Sequence, residues 1–338
     1  MKMLGIDGET RLRELQSGNA LAAFVSLDSH HNRRERGQSA AKSSPAVRKL
    51  DMPISHSAVR IREITRADFL AIAELLSEGF PNRSEAYWLK GFARQAGRPR
   101  LQGYPVHGYL LECKGAPVGA ILMFFSVVPA AEGPIVRCNV SSWYVRPDYR
   151  IFGSLLITAA TKDKNVTYFN TTPAPHTWST VEAQGFSVYC KGQMYVLPAL
   201  NSPVKGARVE EFDSTTTAPN VPARDILAQH SAFGCLSVIV QCDGQAYPFI
   251  FQKHHVKNLI PVYRLIYCRD IEEFVRFAGT LGRFLLRRGS PWVRMDANSP
   301  VSELVGFFTQ KLGRKYAKGP NPPKLGDLAF SEATFFDS

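Results

Sequence analysis

The chain has 338 residues, 45% of them hydrophobic and 21% charged, with 41 Lys and Arg against 29 Asp and Glu and a formal net charge of +12. That balance suits a globular protein with apolar surface for two ordinary cores, and no uncharged apolar run reaches the ~20 residues that cross a bilayer. Six scattered cysteines with no Cys-x-x-Cys pair point to buried free thiols in a reducing, cytoplasmic setting, and away from a disulfide framework or a metal site.

Residues 1–57 are polar and irregular, and contain His30, His31 and a Ser/Ala/Lys stretch ending at Pro45. They offer too little apolar surface to offset ordering and are expected to form a disordered leader, with Met52 as the expected biological start. Val59, Ile61 and Ile64 alternate with Arg60 and Arg62 in a first strand. Thr65 then caps a helix to about Gly79, and a second helix runs from Ser84 to about Ala96 with Tyr87, Trp88 and Phe92 on it. A hairpin follows, His107 to Cys113 and Val118 to Val128, turning over Lys114-Gly115-Ala116-Pro117.

The stretch Cys138-Asn-Val-Ser-Ser-Trp-Tyr-Val-Arg-Pro-Asp-Tyr-Arg-Ile-Phe-Gly-Ser-Leu-Leu-Ile157 reads as a buried strand, a basic turn and the start of an apolar helix. Ser141 to Val145 favours extended structure, and Pro147, with no N–H to give, stops the strand. A strand that delivers Arg146 and Arg150 to a helix N-terminus forms an anion site, because unpaired N–H groups and the helix dipole point outward there. The same residues would also serve as an ordinary turn with two solvated arginines. A strand at Val166 to Asn170 follows, then a stiff loop through Pro173, Ala174, Pro175 and His176, a short helix from Ser179 to Gln184, and Gly185-Phe186.

This order, from Val59 to about Leu200, resembles the GNAT acyltransferase superfamily, which binds acyl-coenzyme A. Val145, Pro147, Arg150 and Gly153 match its pyrophosphate motif V-x-P-x-x-R-G-x-G-x-G/A, while Ile151 and Leu155 stand where the motif has a glycine and a small residue. The Thr65-Arg66-Ala67-Asp68 segment and the late Gly185-Phe186 are also similar to family landmarks. The resemblance implies an α+β fold, a mixed and mostly antiparallel sheet flanked by helices, with acyl-CoA (acetyl-CoA) as co-substrate and no metal. It also implies that Trp143, Val145, Arg150, Ile151, Phe152, Gly153, Ser154 and Asn170 hold the coenzyme. The family's tyrosine acid is replaced by Val181 and its glutamate base by Ser141 and Ser142, so His176 and Ser142 are the candidate catalytic residues.

Pro203 to Pro222 reads as a Pro/Thr/Ala-rich linker. Beyond it the element order repeats: a helix at Arg224 to His230, a hairpin at Leu236 to Phe251 over Asp243-Gly244, a strand at Leu259 to Cys268, a helix at Asp270 to Arg287, a strand at Trp292 to Asp296, a helix at Val301 to Leu312 and a terminal strand. His254-His255 reads as a solvated loop pair. The expected organisation is therefore a leader (1–57), a GNAT-like acyl-CoA-binding domain (58–202), a linker (203–222) and a second, degenerate GNAT-like domain (223–338). The expected activity is transfer of an acyl group to an amine of a small molecule or peptide. The alternative is a catalytically silent acyl-CoA-binding protein. The basic residues are dispersed without aromatic interleaving, so no nucleic-acid partner is expected.

Overall fold

The structure, a computed structural model, describes residues 59–128, 133–215, 217–218, 220–256 and 260–336. The expected leader, residues 1–57, lies outside the described residues. The first strand, β1 (Val59–Glu63), leads through a short 3-10 turn into helix α1 (Phe69–Gly79). The Asp68 carboxylate fixes that turn: it accepts from the Thr65 N–H at 2.8 Å and from both ends of the Arg62 guanidinium at 2.7 and 2.8 Å. Helix α2 (Glu85–Ala96) starts at Ser84, whose hydroxyl accepts from the Tyr87 N–H, as a helix-capping serine does.

Next come β2 (Gly108–Cys113), β3 (Ala116–Val128), β4 (Ile135–Val145), α3 (Gly153–Ala160), β5 (Thr167–Asn170), α4 (Trp178–Ala183) and β6 (Ser187–Cys190). They are followed by β7 (Gly192–Val196), β8 (Arg208–Glu211), α5 (Arg224–Ala232), β9 (Leu236–Cys242), β10 (Gln245–Val256), β11 (Ile260–Cys268) and α6 (Ile271–Arg287). The chain continues through β12 (Trp292–Ala297), β13 (Gly306–Thr309), β14 (Lys315–Lys318) and α7 (Glu332–Phe335). The β9–β10 hairpin turns over Asp243 and Gly244, both at positive φ (+52° and +74°), the left-handed geometry that two-residue hairpin loops need.

These strands build two mixed seven-stranded sheets, in the orders β1-β2-β3-β4-β5-β14-β6 and β13-β7-β12-β11-β10-β9-β8. Each has one parallel pair, β4 with β5 and β11 with β12, and is otherwise antiparallel. The sheets do not follow the chain order of the two halves. β7 precedes residue 203 yet pairs with β12 and β13 in the second sheet, whereas β14 returns to lie between β5 and β6 in the first. The 203–222 stretch itself supplies β8, the edge strand beside β9.

Two further expectations differ. The Val301 to Leu312 stretch carries β13 instead of a helix; at Gly306 a Cβ would lie 2.1 Å from the Tyr195 carbonyl oxygen, so glycine permits the close strand contact with β7. His254 and His255 lie inside β10, with His255 exposed and His254 buried, so they are not a solvated loop pair.

On the first sheet, Ile72, Leu75 and Leu76 of α1 and Trp88 and Phe92 of α2 form one core with Leu110, Leu122 and Phe124. Trp88 and Phe92 are thus core residues. On the second, α6 buries Phe274, Phe277, Leu281 and Leu285 against Phe249, Phe251, Leu265 and Val293. All six cysteines are buried.

The two sheets are tied by a buried ion pair. Lys315 of β14, with no exposed side-chain surface, places its ammonium 2.7 Å from Asp296 of β12 and 3.0 Å from the Gly313 carbonyl oxygen. Removing one member of such a pair leaves an uncompensated buried charge. Lys315→Met is expected to lower unfolding free energy by about 3–5 kcal/mol. The double replacement Lys315→Met with Asp296→Leu should recover most of that loss, as measured by denaturant unfolding.

Candidate active site

β4 and β5 run parallel and pair at three positions: Arg137 with Thr167, Cys138 with Tyr168 and Asn139 with Phe169. Beyond Asn139, β4 runs on to Val145 paired, among the described residues, with β3 alone, so the two strands part. Asn139 is fully buried at the fork. Its side-chain amide donates to the Phe169 carbonyl at 3.0 Å, and its side-chain oxygen accepts the N–H of Glu332 at 2.7 Å.

Just past the fork, β4 carries a β-bulge. Leu122 pairs with Ser141 and Ala120 with Tyr144, which leaves Ser142 and Trp143 opposite Ile121 alone. Ser142 sits at φ +50°, a left-handed conformation that costs a serine energy and is held by the surrounding sheet. The cleft between the parted strands is open to solvent and lined by Ser141, Trp143, Asn170, Ile157, Val181 and Phe186 among others. The indole N–H of Trp143 is buried with no acceptor among the described residues.

After Val145, residues Pro147–Phe152 form a 3-10 helix that runs straight into α3. The Gly153 N–H bonds the Arg150 carbonyl, so this turn spends donors within itself that an open glycine loop would present outward. Ile151 and Leu155 stand 70% and 51% exposed around the turn. The two arginines differ. Arg146 is engaged with Glu78 through a forked pair at 2.6 and 3.0 Å. Arg150 is exposed and has no ion-pair or hydrogen-bond partner among the described residues. Positive charge for an anion here comes from Arg150.

The residue that the sequence reading missed is Glu332 of α7. Its carboxylate is held across the fork by three hydroxyls, those of Ser141 on one side and of Thr171 (3.1 Å) and Thr172 on the other. The Ser142 hydroxyl stands 3.0 Å from that of Ser141. Burial raises the Glu332 pKa above the ordinary carboxylate value, against the opposing pull of the threonine hydroxyls and of Arg264 and Arg83. A carboxylate held this way is poised to accept a proton. Its segment is anchored by aromatic contacts: Phe335 stacks on Phe124 at 4.9 Å between ring centres, and Phe336 meets Trp88 at 5.4 Å. At Gly91 a Cβ would fall 1.9 Å from the Phe336 ring, so α2 must present glycine there.

Of the residues singled out from the sequence, Trp143 and Asn170 line the cleft, and Ser142 lies beside it on the bulge. Val145, Phe152 and Gly153 are buried beside the 147–153 turn, with Arg150, Ile151 and Ser154 exposed around it. His176 is exposed in a 3-10 turn, Pro175–Thr177, and does not line the cleft. The one sequence signal for Glu332 is its isolation, a single carboxylate within Leu328 to Phe336.

No family model and no curated protein matches the sequence. Among solved structures, a GCN5-related N-acetyltransferase from Anabaena variabilis ATCC 29413 is similar, with a TM-score of 0.50 at 10% identity over 77% of this chain and 72% of that one. A conserved protein of unknown function from Enterococcus faecalis V583 also scores 0.50, at 9% identity over 82% of this chain and 74% of that one. The chain has the fold of the GCN5-related N-acetyltransferases, arranged as two GNAT-like halves.

The strain at Ser142 can be measured directly. Ser142→Gly relieves the positive φ and is expected to stabilise the protein by about 1 kcal/mol, whereas Ser142→Val should destabilise it by at least as much. Melting temperatures of the two variants, moving in opposite directions about the parent, would check this.

Proposed function

We propose that the protein is an acyl-CoA-dependent N-acyltransferase that moves an acyl group from coenzyme A to an amine of a small molecule or peptide. The observation that carries this reading is the fork between β4 and β5 with its bulge at Ser142. Past Asn139, β4 has, among the described residues, no partner on the β5 side, so its backbone polar groups there are available to the amides of a pantetheine arm. The thioester would then lie in the cleft against Trp143 and Asn170, with the pyrophosphate at the 147–153 turn near Arg150.

Glu332 would act as the general base. As the amine nitrogen attacks the thioester carbonyl carbon, a C–N bond forms and the C–S bond breaks, its electron pair leaving on sulfur. The proton lost by nitrogen passes to Glu332, and the coenzyme thiolate takes a proton from water. Ser142 keeps a place here through its contact with Ser141, the hydroxyl that holds Glu332. His176, exposed and off the cleft, is given no step.

Two variants test the two parts of this reading. Arg150→Ala should weaken coenzyme A binding about tenfold or more by calorimetry, since a hydrogen bond to a charged group is worth about 1.5–3 kcal/mol and each ~1.4 kcal/mol is a decade. An unchanged dissociation constant would remove the coenzyme site from this turn. Glu332→Gln should lower kcat about 100-fold or more with coenzyme affinity retained. Parent activity should rise with pH through a pKa above the ordinary carboxylate range, as Glu332 loses its proton, and the variant should lack that limb. Tight coenzyme binding by the parent without turnover of any amine would instead favour a silent acyl-CoA-binding protein.

A further inference from the structure

The second sheet turns a polar patch toward the site. On its face away from α6, Ile250 and Ile266 pack with Leu328 and Ala333, the neighbour of Glu332. Two residues along the same strands, Gln252 and Arg264 face each other in register, with His254 next on β10. All three are more than nine-tenths buried, at 8%, 7% and 8% exposure for Gln252, Arg264 and His254. Their polar atoms are nonetheless left open. Among the described residues the Gln252 side-chain oxygen has no partner, and the His254 ring has no well-aligned hydrogen bond, its one backbone interaction being with Gln252 itself. Among the described residues nothing accepts a hydrogen bond from the Arg264 guanidinium. Of the two carboxylates that act on it electrostatically, Asp296 bonds Lys315 through one oxygen and Glu332 bonds its three hydroxyls; neither bonds the guanidinium.

A buried, unbonded guanidinium is costly, and so are buried polar atoms without partners. Three of them side by side on one sheet face mark a place where a ligand supplies what is missing. Resting on the acyltransferase reading above, we infer that the acceptor is an amine that carries a carboxylate, an amino acid or a related zwitterion, with Arg264 binding its carboxylate while its amine faces Glu332. The charge order matches. A planar carboxylate accepts two parallel bonds from a guanidinium fork, and an amine belongs beside the carboxylate that is to take its proton. An acceptor with a second ammonium in place of the acid would set like charges together, since Arg294 pairs with Arg264 in the β11–β12 register and Arg83 also acts on Glu332. Gln252 and His254 flank the fork and supply hydrogen-bonding groups for the rest of the acceptor. His254 is uncharged near neutrality, its pKa pushed down to about 3 by burial and by Arg294 and Arg264.

The test is thiol release from acetyl- and octanoyl-coenzyme A with a panel of amino acids, each matched with its amide and with the amine that lacks the carboxyl group. The parent protein is expected to use one or more of the amino acids and to prefer each over its carboxyl-free partners by about 100-fold in kcat/KM. Arg264→Gln should raise KM for that amino acid at least about tenfold, with the coenzyme A dissociation constant unchanged. Its melting temperature should be equal to or above the parent's, because an unpaired buried charge has been removed. Equal use of matched partners overturns the inference, as does an Arg264→Gln variant that melts lower yet keeps the parent KM. If coenzyme A binds but no member of the panel releases thiol, the acceptor class is wrong. Use of carboxyl-free amines alone overturns the acceptor class and leaves the acyltransferase reading standing. A failure to bind coenzyme A overturns the acyltransferase reading itself.

Discussion

The first sheet depends on a strand that the chain delivers late. β14 fills the position between β5 and β6, and it arrives with Lys315, whose ammonium must find Asp296 of the other sheet. Strand exchange and buried ion pair act together. The backbone ladder fixes where Lys315 sits, and the ion pair fixes how one sheet stands against the other. The segment beyond β14 then runs back under the fork and sets Glu332 opposite Ser141 and Thr171. The geometry of the cleft is therefore shared between the halves, because one wall belongs to β4 and the carboxylate over it belongs to the tail.

The fork concentrates features that a stable sheet would avoid. It has a serine at positive φ, a bulge, a parallel pair that ends after three positions and a buried indole N–H without an acceptor among the described residues. The sheet interior around these features is well packed, with Leu110, Leu122 and Phe124 fully buried. Strain confined to one place in an otherwise regular sheet is the pattern of a site held ready for a ligand. Burial raises the Glu332 pKa, and burial lowers that of Arg264 to about 10. Both shifts weaken the charged form, so each group would gain from a ligand of opposite charge.

Much of the fold was legible because local signals and tertiary structure agree. The Asp243-Gly244 hairpin, the Thr65 and Ser84 helix starts and the amphipathic α6 follow from residues close in sequence. The strand, turn and helix from Cys138 to Ile157 were also readable, as were Trp143 and Asn170 on the cleft. Signals that failed did so for a stated reason. Val301 to Leu312 has apolar spacing that suits a helix, yet β7 offers an unpaired edge and Gly306 lets the backbone approach it. His254 lies in a strand that its polar neighbours made look like a loop. Glu332 could not be placed, since its partners Ser141 and Thr171 lie 191 and 161 residues away. No short-range pattern encodes such a contact. Nor does a pattern reveal that β7 and β14 change sheets.

The late arrival of β14 also sets a schedule for synthesis. When residue 190 has left the ribosome, β5 and β6 exist but the strand that belongs between them does not. At about 5–20 residues per second, residue 318 follows on the order of ten seconds later. During that interval the nascent first half carries an open ladder on β5, the kind of bare edge that invites pairing with another chain. Contacts of such long sequence separation also form slowly. A nascent first half is therefore exposed at that edge until the second half is made.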